Sequence, residues 1–159
     1  MIDMSTGDLH SASDLKSITT YQAGILQATT HRVLQKYSDQ ILKKYGITKM
    51  QWLIIGTVYD SGSKGTRLTE LTAKLDTTMA YLTNTVNLLE SKKILDRVDD
   101  KKDSRVKFIT VNKSFKPKCS QIEKTLRDEL RKTIYNSVNS ADFATYIRVL
   151  KKLSKISDK

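Results

Sequence analysis

Residues 78–111 decide the fold: Thr78-Met79-Ala80-Tyr81-Leu82-Thr83-Asn84-Thr85-Val86-Asn87-Leu88-Leu89-Glu90-Ser91-Lys92-Lys93-Ile94-Leu95-Asp96-Arg97-Val98-Asp99-Asp100-Lys101-Lys102-Asp103-Ser104-Arg105-Val106-Lys107-Phe108-Ile109-Thr110-Val111. The hydrophobic pattern is helical at first and then alternates. Thr78 is the N-cap of a helix with Leu82, Thr85 or Val86, and Leu89 on its buried face. The opposite face carries Tyr81, Asn84 and Asn87. Leu95, Arg97 and Asp99 then alternate with Asp96, Val98 and Asp100, and Val106, Phe108 and Thr110 alternate with Lys107, Ile109 and Val111. Two strands joined by a charged tip, Asp100 to Arg105, predict a hairpin.

Upstream, Asp76-Thr77 separates this helix from a short one, capped by Thr69, with Leu71 and Leu75 inward. The Gly and Ser content of Asp60-Ser61-Gly62-Ser63-Lys64-Gly65 predicts a loop. Before it lies a helix from residue 49 to about 60. Thr48 and Gln51 form a capping box there, and Ile47 can staple onto Trp52. Ile18, Tyr21, Ile25, Thr29, Val33, Tyr37, Ile41 and Tyr45 recur at steps of three or four, predicting a long amphipathic helix stopped by Gly46 at C′. A helix this long outgrows a small domain and suggests a partner. Residues 1–14 lack periodicity and are expected as a flexible tail.

Downstream, Pro117 belongs in the first turn of a helix and places the cap near Ser114. Ile122, Leu126, Leu130, Ile134 and Val138 fall every four residues. After a break at Asn139-Ser140, Phe143, Ile147, Leu150 and Leu153 form a last apolar stripe. The expected organisation is one intertwined domain, with 47–112 as its central region and 15–46 and 114–159 as flanking helices.

Composition narrows the function. The 159 residues carry 28 Lys and Arg against 17 Asp and Glu, a formal charge of +11 that favours polyanions such as nucleic acid. One cysteine excludes an internal disulfide or a Cys-based zinc site. No window approaches the roughly 18 apolar residues of a membrane span, and the N-terminus is polar and partly acidic, so a cytoplasmic protein without a membrane partner is expected. Two histidines, no paired carboxylates and no Gly-rich phosphate loop give no catalytic constellation. Neither enzyme activity nor a cofactor or metal is expected.

Helix, turn, helix and basic hairpin in that order make a winged helix-turn-helix. A helix fits the major groove, where base edges carry a distinguishing code, and a hairpin tip reaches the minor groove or adjacent phosphates. Tyr81, Thr83, Asn84 and Asn87 can hydrogen-bond to bases or phosphates, and Thr78 leaves the helix N-terminus pointing at the backbone. From Lys92 to Lys107 seven basic residues stand against four Asp, a local +3.

These residues carry a resemblance. Residues 47–112 resemble a MarR-family transcriptional regulator: Ile47-Thr48-Lys49-Met50-Gln51 opens the second helix as in that family, and Glu70-Leu71 to Leu75 is similar to its first helix-turn-helix segment. Leu89 to Arg97, Asp100-Lys101-Lys102-Asp103-Ser104-Arg105 and Val106 to Val111 resemble its helix end, first strand, Asp-x-Arg tip and second strand. The flanking helices match its dimerisation region in length and order.

The resemblance implies a mainly α protein with a small β-hairpin wing, α+β in class, with N- and C-terminal dimerisation helices. It implies that Arg105 enters the minor groove, held by Asp103, with Lys101 and Lys102 beside it. It also implies a homodimer on double-stranded DNA, with recognition helices about one turn, roughly 34 Å, apart on a pseudo-palindromic operator. Such a protein blocks or alters promoter access, with repression as one mode. A small aromatic or anionic effector between lobes is a family habit, and Tyr21, His31, Arg32, Tyr37, Tyr45 and Trp52 could line its crevice. The sequence departs from the family at Thr72, Asp76 and Lys93. Asp76 can keep the turn, since Asp tolerates the left-handed region. Lys93 stands where glycine is usual and suggests a different exit from the recognition helix.

Other readings compete at several places. The apolar stripes of the flanking helices could close a monomeric bundle, and the aromatics could be plain core. The winged helix could be an adaptor that recognises a protein partner. Cys119, near a helix N-terminus with Lys116 and Lys118 close by, could sense oxidants as a thiolate or be an inert buried thiol. His31 fits a packed or solvated helix position.

Overall fold

A computed structural model describes residues 17–100 and 106–155. Along the chain run α1 (Thr20–Lys43), α2 (Lys49–Asp60), a single 3-10 turn (Gly62–Lys64), α3 (Leu68–Leu75), α4 (Met79–Ser91), β1 (Leu95–Asp99), β2 (Lys107–Val111), α5 (Lys116–Thr133) and α6 (Ser140–Leu153). The fold is mainly helical with one antiparallel hairpin, the winged helix-turn-helix expected from residues 78–111. The chain divides into two compact units, 1–36 and 37–159. The helix α1 begins in the first and ends in the second. The expected tail at 1–14 lies outside the described residues.

In the first unit a capping box starts α1: Thr19 Oγ1 accepts the Gln22 N–H at 3.3 Å, and Gln22 Oε1 accepts the Thr19 N–H at 2.9 Å. Sequence reasoning missed this cap. Tyr21, Ile25, Leu26 and Val33 remain exposed along the helix.

In the second unit α1 ends as expected at Gly46, whose φ of 69° lets its N–H bond the Lys43 carbonyl at 3.0 Å. The predicted capping box of α2 is present, with Gln51 N–H to Thr48 Oγ1 at 3.3 Å and Thr48 N–H to Gln51 Oε1 at 3.0 Å. A second acceptor reinforces it, because Asp39 Oδ1 takes the Lys49 N–H at 3.0 Å. The fully buried side chains include Leu42, Ile54, Ile55, Leu71, Leu82, Val86, Leu89, Leu95, Ile109 and Ile122, drawn from α1 through α5. These residues form one core against which the recognition helix and the hairpin are fixed.

The hairpin pairs Leu95 with Val111 through Asp99 with Lys107. Thr66 extends it by exchanging backbone bonds with Ile109 at 3.0 and 2.8 Å. This close approach requires glycine next door: Gly65 has a φ of 72°, and a Cβ there would lie 2.6 Å from the Ile109 carbonyl oxygen. After α2 ends at Asp60 the expected loop is a short connection containing the 3-10 turn, and Thr66 behind Gly65 stitches it to the wing.

Three local expectations need correction. Thr69 does not cap α3. The cap lies two residues earlier, with Arg67 at the N-cap and the Glu70 carboxylate accepting the Arg67 N–H at 3.2 Å and the Thr66 hydroxyl at 2.8 Å. Lys93 does not change the helix exit. It adopts the left-handed conformation itself, φ 56°, as Asp76 does at 47°. Lys93 N–H bonds Glu90 O at 2.8 Å and Ile94 N–H bonds Leu89 O at 2.9 Å, a complete Schellman ending. The helix α5 starts after Phe115, next to Ser114 as expected, but stops at Thr133 instead of continuing through Val138. The Ile134 and Tyr135 N–H groups both bond Leu130 O, at 2.9 and 3.0 Å, which ends the ladder. Asn139 then caps α6 by accepting the Asp142 N–H at 2.9 Å.

Candidate nucleic-acid interface

Helix α4 is held from below and open above. Leu82, Thr85, Val86 and Leu89 are buried, and both alternatives left open at positions 85 and 86 face inward. Thr78 Oγ1 accepts the Tyr81 N–H at 3.2 Å, so the expected N-cap is formed. Tyr81, Asn84 and Asn87 are exposed at intervals of one turn, and Thr83 is half-buried on the flank of that row. Met79, Tyr81 and Leu88 are 41, 45 and 44% exposed, adding apolar surface to the hydrogen-bonding groups. No residue of α4 before Glu90 carries a formal charge. Such a face offers directional contacts, and attraction to phosphate must come from its surroundings.

Those surroundings are basic and partly braced. Lys92 reaches across to donate to the Gly46 carbonyl at 3.1 Å, which ties the end of α4 to the α1–α2 turn. The Arg67 guanidinium lies 5.3 Å from the centre of the Phe108 ring. On the wing, Lys107 pairs with Asp99. Arg97 of β1 pairs with Glu90 and donates to Asn87 Oδ1 at 2.7 Å. Lys101, Lys102, Asp103 and Arg105, expected at the wing tip, lie outside the described residues.

Arg97, Arg67 and Glu70 were not singled out by the sequence. For Arg97 a signal existed: Asn87 and Glu90 lie one turn apart, and Arg97 follows at an alternating strand position. The Glu70 carboxyl is held below the usual carboxylate range, chiefly by the Thr66 hydroxyl and then by the Arg67 N–H.

The residues expected around an effector are dispersed over the two units. Tyr21 and Arg32 belong to 17–36, where Tyr21 is exposed and Arg32 donates to Thr29 Oγ1 at 3.2 Å. Tyr37 and Trp52 belong to the second unit. There Trp52 lines two open cavities, one of about 590 Å³ between α2 and α5 and one of about 460 Å³ that Ser38 and Leu42 of α1 and Phe143 of α6 also line. Leu53, Glu123 and Arg127 line both, and Tyr37 lines neither.

Cys119 occupies the core, 2% exposed. Burial pushes its thiol up to about 11, opposite to the shift that Lys116, Lys118 and a helix N-terminus suggested. A thiol in this environment is poorly suited to oxidant sensing. Among the described residues no group of three or more His, Cys, Asp or Glu is placed to hold a metal ion, and no helix is long and apolar enough to cross a membrane.

Comparison with known proteins places this geometry. The model of a family described as transcriptional regulator SarA/Rot matches residues 36–122. Among solved structures, a mutant MarR from E. coli complexed with operator DNA is 19% identical, with 82% of this chain and 91% of that chain covered and a TM-score of 0.72. AbsC from Streptomyces coelicolor, a MarR-family transcriptional regulator, is 15% identical over 89 and 97% of the two chains, with a TM-score of 0.73. MepR from S. aureus, in a complex with DNA, is 23% identical over 87 and 98%, with a TM-score of 0.69. At these identities the likeness is one of fold. No curated protein matches by sequence.

Proposed function

The chain belongs to the SarA/Rot family of transcriptional regulators, and from that premise we propose that it acts as a cytoplasmic homodimer that reads a pseudo-palindromic operator with α4 and the wing. The observation that carries this reading is the uncharged, exposed hydrogen-bonding row of Tyr81, Asn84 and Asn87 on a helix capped by Thr78. Specificity comes from the row, and affinity from the lysines and arginines around it, including Lys101, Lys102 and Arg105 with Asp103 as the arginine's support. The MarR and MepR structures with DNA favour the same use of the fold.

Dimerisation is assigned to 15–46 and 114–159. Helix α6 has no buried residue in the single chain, and Val149, Leu150 and Leu153 are 45, 43 and 52% exposed. A second chain would cover these stripes and place two α4 helices on one DNA face. Repression follows where the operator overlaps a promoter. A small aromatic or anionic effector would enter beside Trp52, where Arg127 supplies charge; quenching of the chain's single tryptophan would report it.

The test is a titration of the purified protein against the DNA upstream of its own gene and a scrambled duplex of equal length, across a salt series. Preferential binding of two chains per site, with affinity falling by orders of magnitude as salt rises, supports the regulator. Met79, Tyr81 and Leu88 give α4 enough apolar surface for a protein partner instead. Absence of binding to either duplex at low salt would transfer the assignment to that adaptor role.

A further inference from the structure

One member of the α4 row is already engaged. Asn87 and Glu90 lie one helical turn apart, and the Arg97 guanidinium from β1 meets both: Nη1 pairs with Glu90 Oε2, and Nη2 donates to Asn87 Oδ1 at 2.7 Å. A guanidinium carries only N–H donors. The amide oxygen of Asn87 therefore faces Arg97, and its Nδ2 faces away. The pair is largely shielded, with 27 and 29% of the Arg97 and Glu90 side-chain surfaces exposed, while Asn87 itself is exposed.

This orientation restricts what Asn87 can read. A bidentate asparagine–adenine pair needs the amide oxygen to accept from N6 while Nδ2 donates to N7. The Arg97 bond takes one of the two Oδ1 lone pairs and turns that oxygen toward β1, so the two Nδ2 hydrogens are the groups presented outward. The geometry points to Asn87 as a donating specificity residue, fixed by Arg97, that recognises major-groove acceptors: guanine best, since O6 and N7 can take both Nδ2 hydrogens, then thymine O4, with adenine offering N7 alone beside an N6 donor left without an acceptor. Cytosine, whose major-groove edge presents an amino donor, is rejected at that position. Arg97 is a positioning residue, and it also makes the wing strand and the recognition helix one recognition unit. This inference rests on the proposed reading of DNA by α4.

Selection of bound duplexes from a randomised library tests it, using the full-length protein and the variants Asn87→Ala, Arg97→Met and Glu90→Gln. Asn87→Ala identifies the affected base pair by flattening preference there, by roughly three- to tenfold. Wild type is expected to favour guanine or thymine at that position. Arg97→Met frees the amide to turn and shifts preference at the same position toward adenine, with the others retained; Glu90→Gln, which keeps the Arg97–Asn87 bond, leaves the profile as in wild type. An adenine preference in wild type at the Asn87 position overturns the inference, and that result needs no folded variant. So does an Arg97→Met profile identical to wild type, or one altered only at other positions. If wild type selects no sequence at all, the reading of DNA by α4 fails first and the role of Arg97 falls with it.

Discussion

Helices α4 and α6 have similar apolar stripes and opposite fates. In α4 the stripe of Leu82, Val86 and Leu89 is fully buried, while in α6 Val149, Leu150 and Leu153 remain about half exposed in the single chain. An apolar stripe at helical spacing thus announces burial without saying in what. For α4 the burying surface is the chain's own core, and the outward face, with Tyr81, Asn84 and Asn87, is left exposed. For α6 the cover within the chain is partial: Phe143 packs edge-on against Tyr135 with ring centroids 4.8 Å apart, while Val149, Leu150 and Leu153 stay open, and the proposed partner for these is a second copy.

Substitutions can break this contrast, and the largest effect is expected inside. Leu82→Ala leaves a cavity under the recognition helix and should cost about 2–5 kcal/mol of unfolding free energy in chemical denaturation. The pair Leu150→Lys and Leu153→Lys should instead leave a folded chain and shift it toward monomer in sedimentation, with operator binding reduced accordingly. Destabilisation to the same extent by the α4 and the α6 substitutions would erase the distinction. Next comes Gly65→Ala, where a methyl group meets the Ile109 carbonyl at 2.6 Å and the positive φ adds strain. A loss of about 2 kcal/mol or more is expected by thermal denaturation.

Smaller effects sharpen the description of the α3 and α4 ends. Glu70→Ala leaves the buried Thr66 hydroxyl without its acceptor and should cost about 1–2 kcal/mol at neutral pH. The folded-state carboxyl of Glu70 lies below its ordinary value, so its contribution is full above the ordinary carboxylate range and disappears as pH falls through the lowered folded value. The stability gap between wild type and Glu70→Gln should accordingly close on acidification. Lys93→Gly relieves a left-handed lysine and should raise stability by about 0.5–1 kcal/mol, visible as a higher melting temperature.

Much of this was legible in the sequence because the determining interactions are local. The capping box of Thr48 and Gln51, the Gly46 stop, the Thr78 cap and the alternation of residues 95–111 need only neighbours a few positions away. The Glu70 cap was missed because its partners, Thr66 and Arg67, gain meaning only when Thr66 is pinned to Ile109. The early end of α5 was missed because Ile134 and Val138 continue the apolar period after the backbone bonds have stopped. Cys119 shows the same limit: the sequence left a thiolate and an inert buried thiol both open, and only the fold shows the side chain buried in the core. On the α4 face the donors and acceptors were visible as residue types, whereas the direction of the Asn87 amide depends on Arg97, ten residues away.

The most direct test of sequence recognition by α4 compares wild type with Asn84→Ala on the preferred duplex and on its scrambled counterpart at one fixed salt concentration. Loss of about 1–3 kcal/mol on the preferred duplex, with affinity for the scrambled one unchanged, is the result expected of a base-reading side chain. Equal weakening on both duplexes, or none on either, would contradict the assignment of specificity to this face.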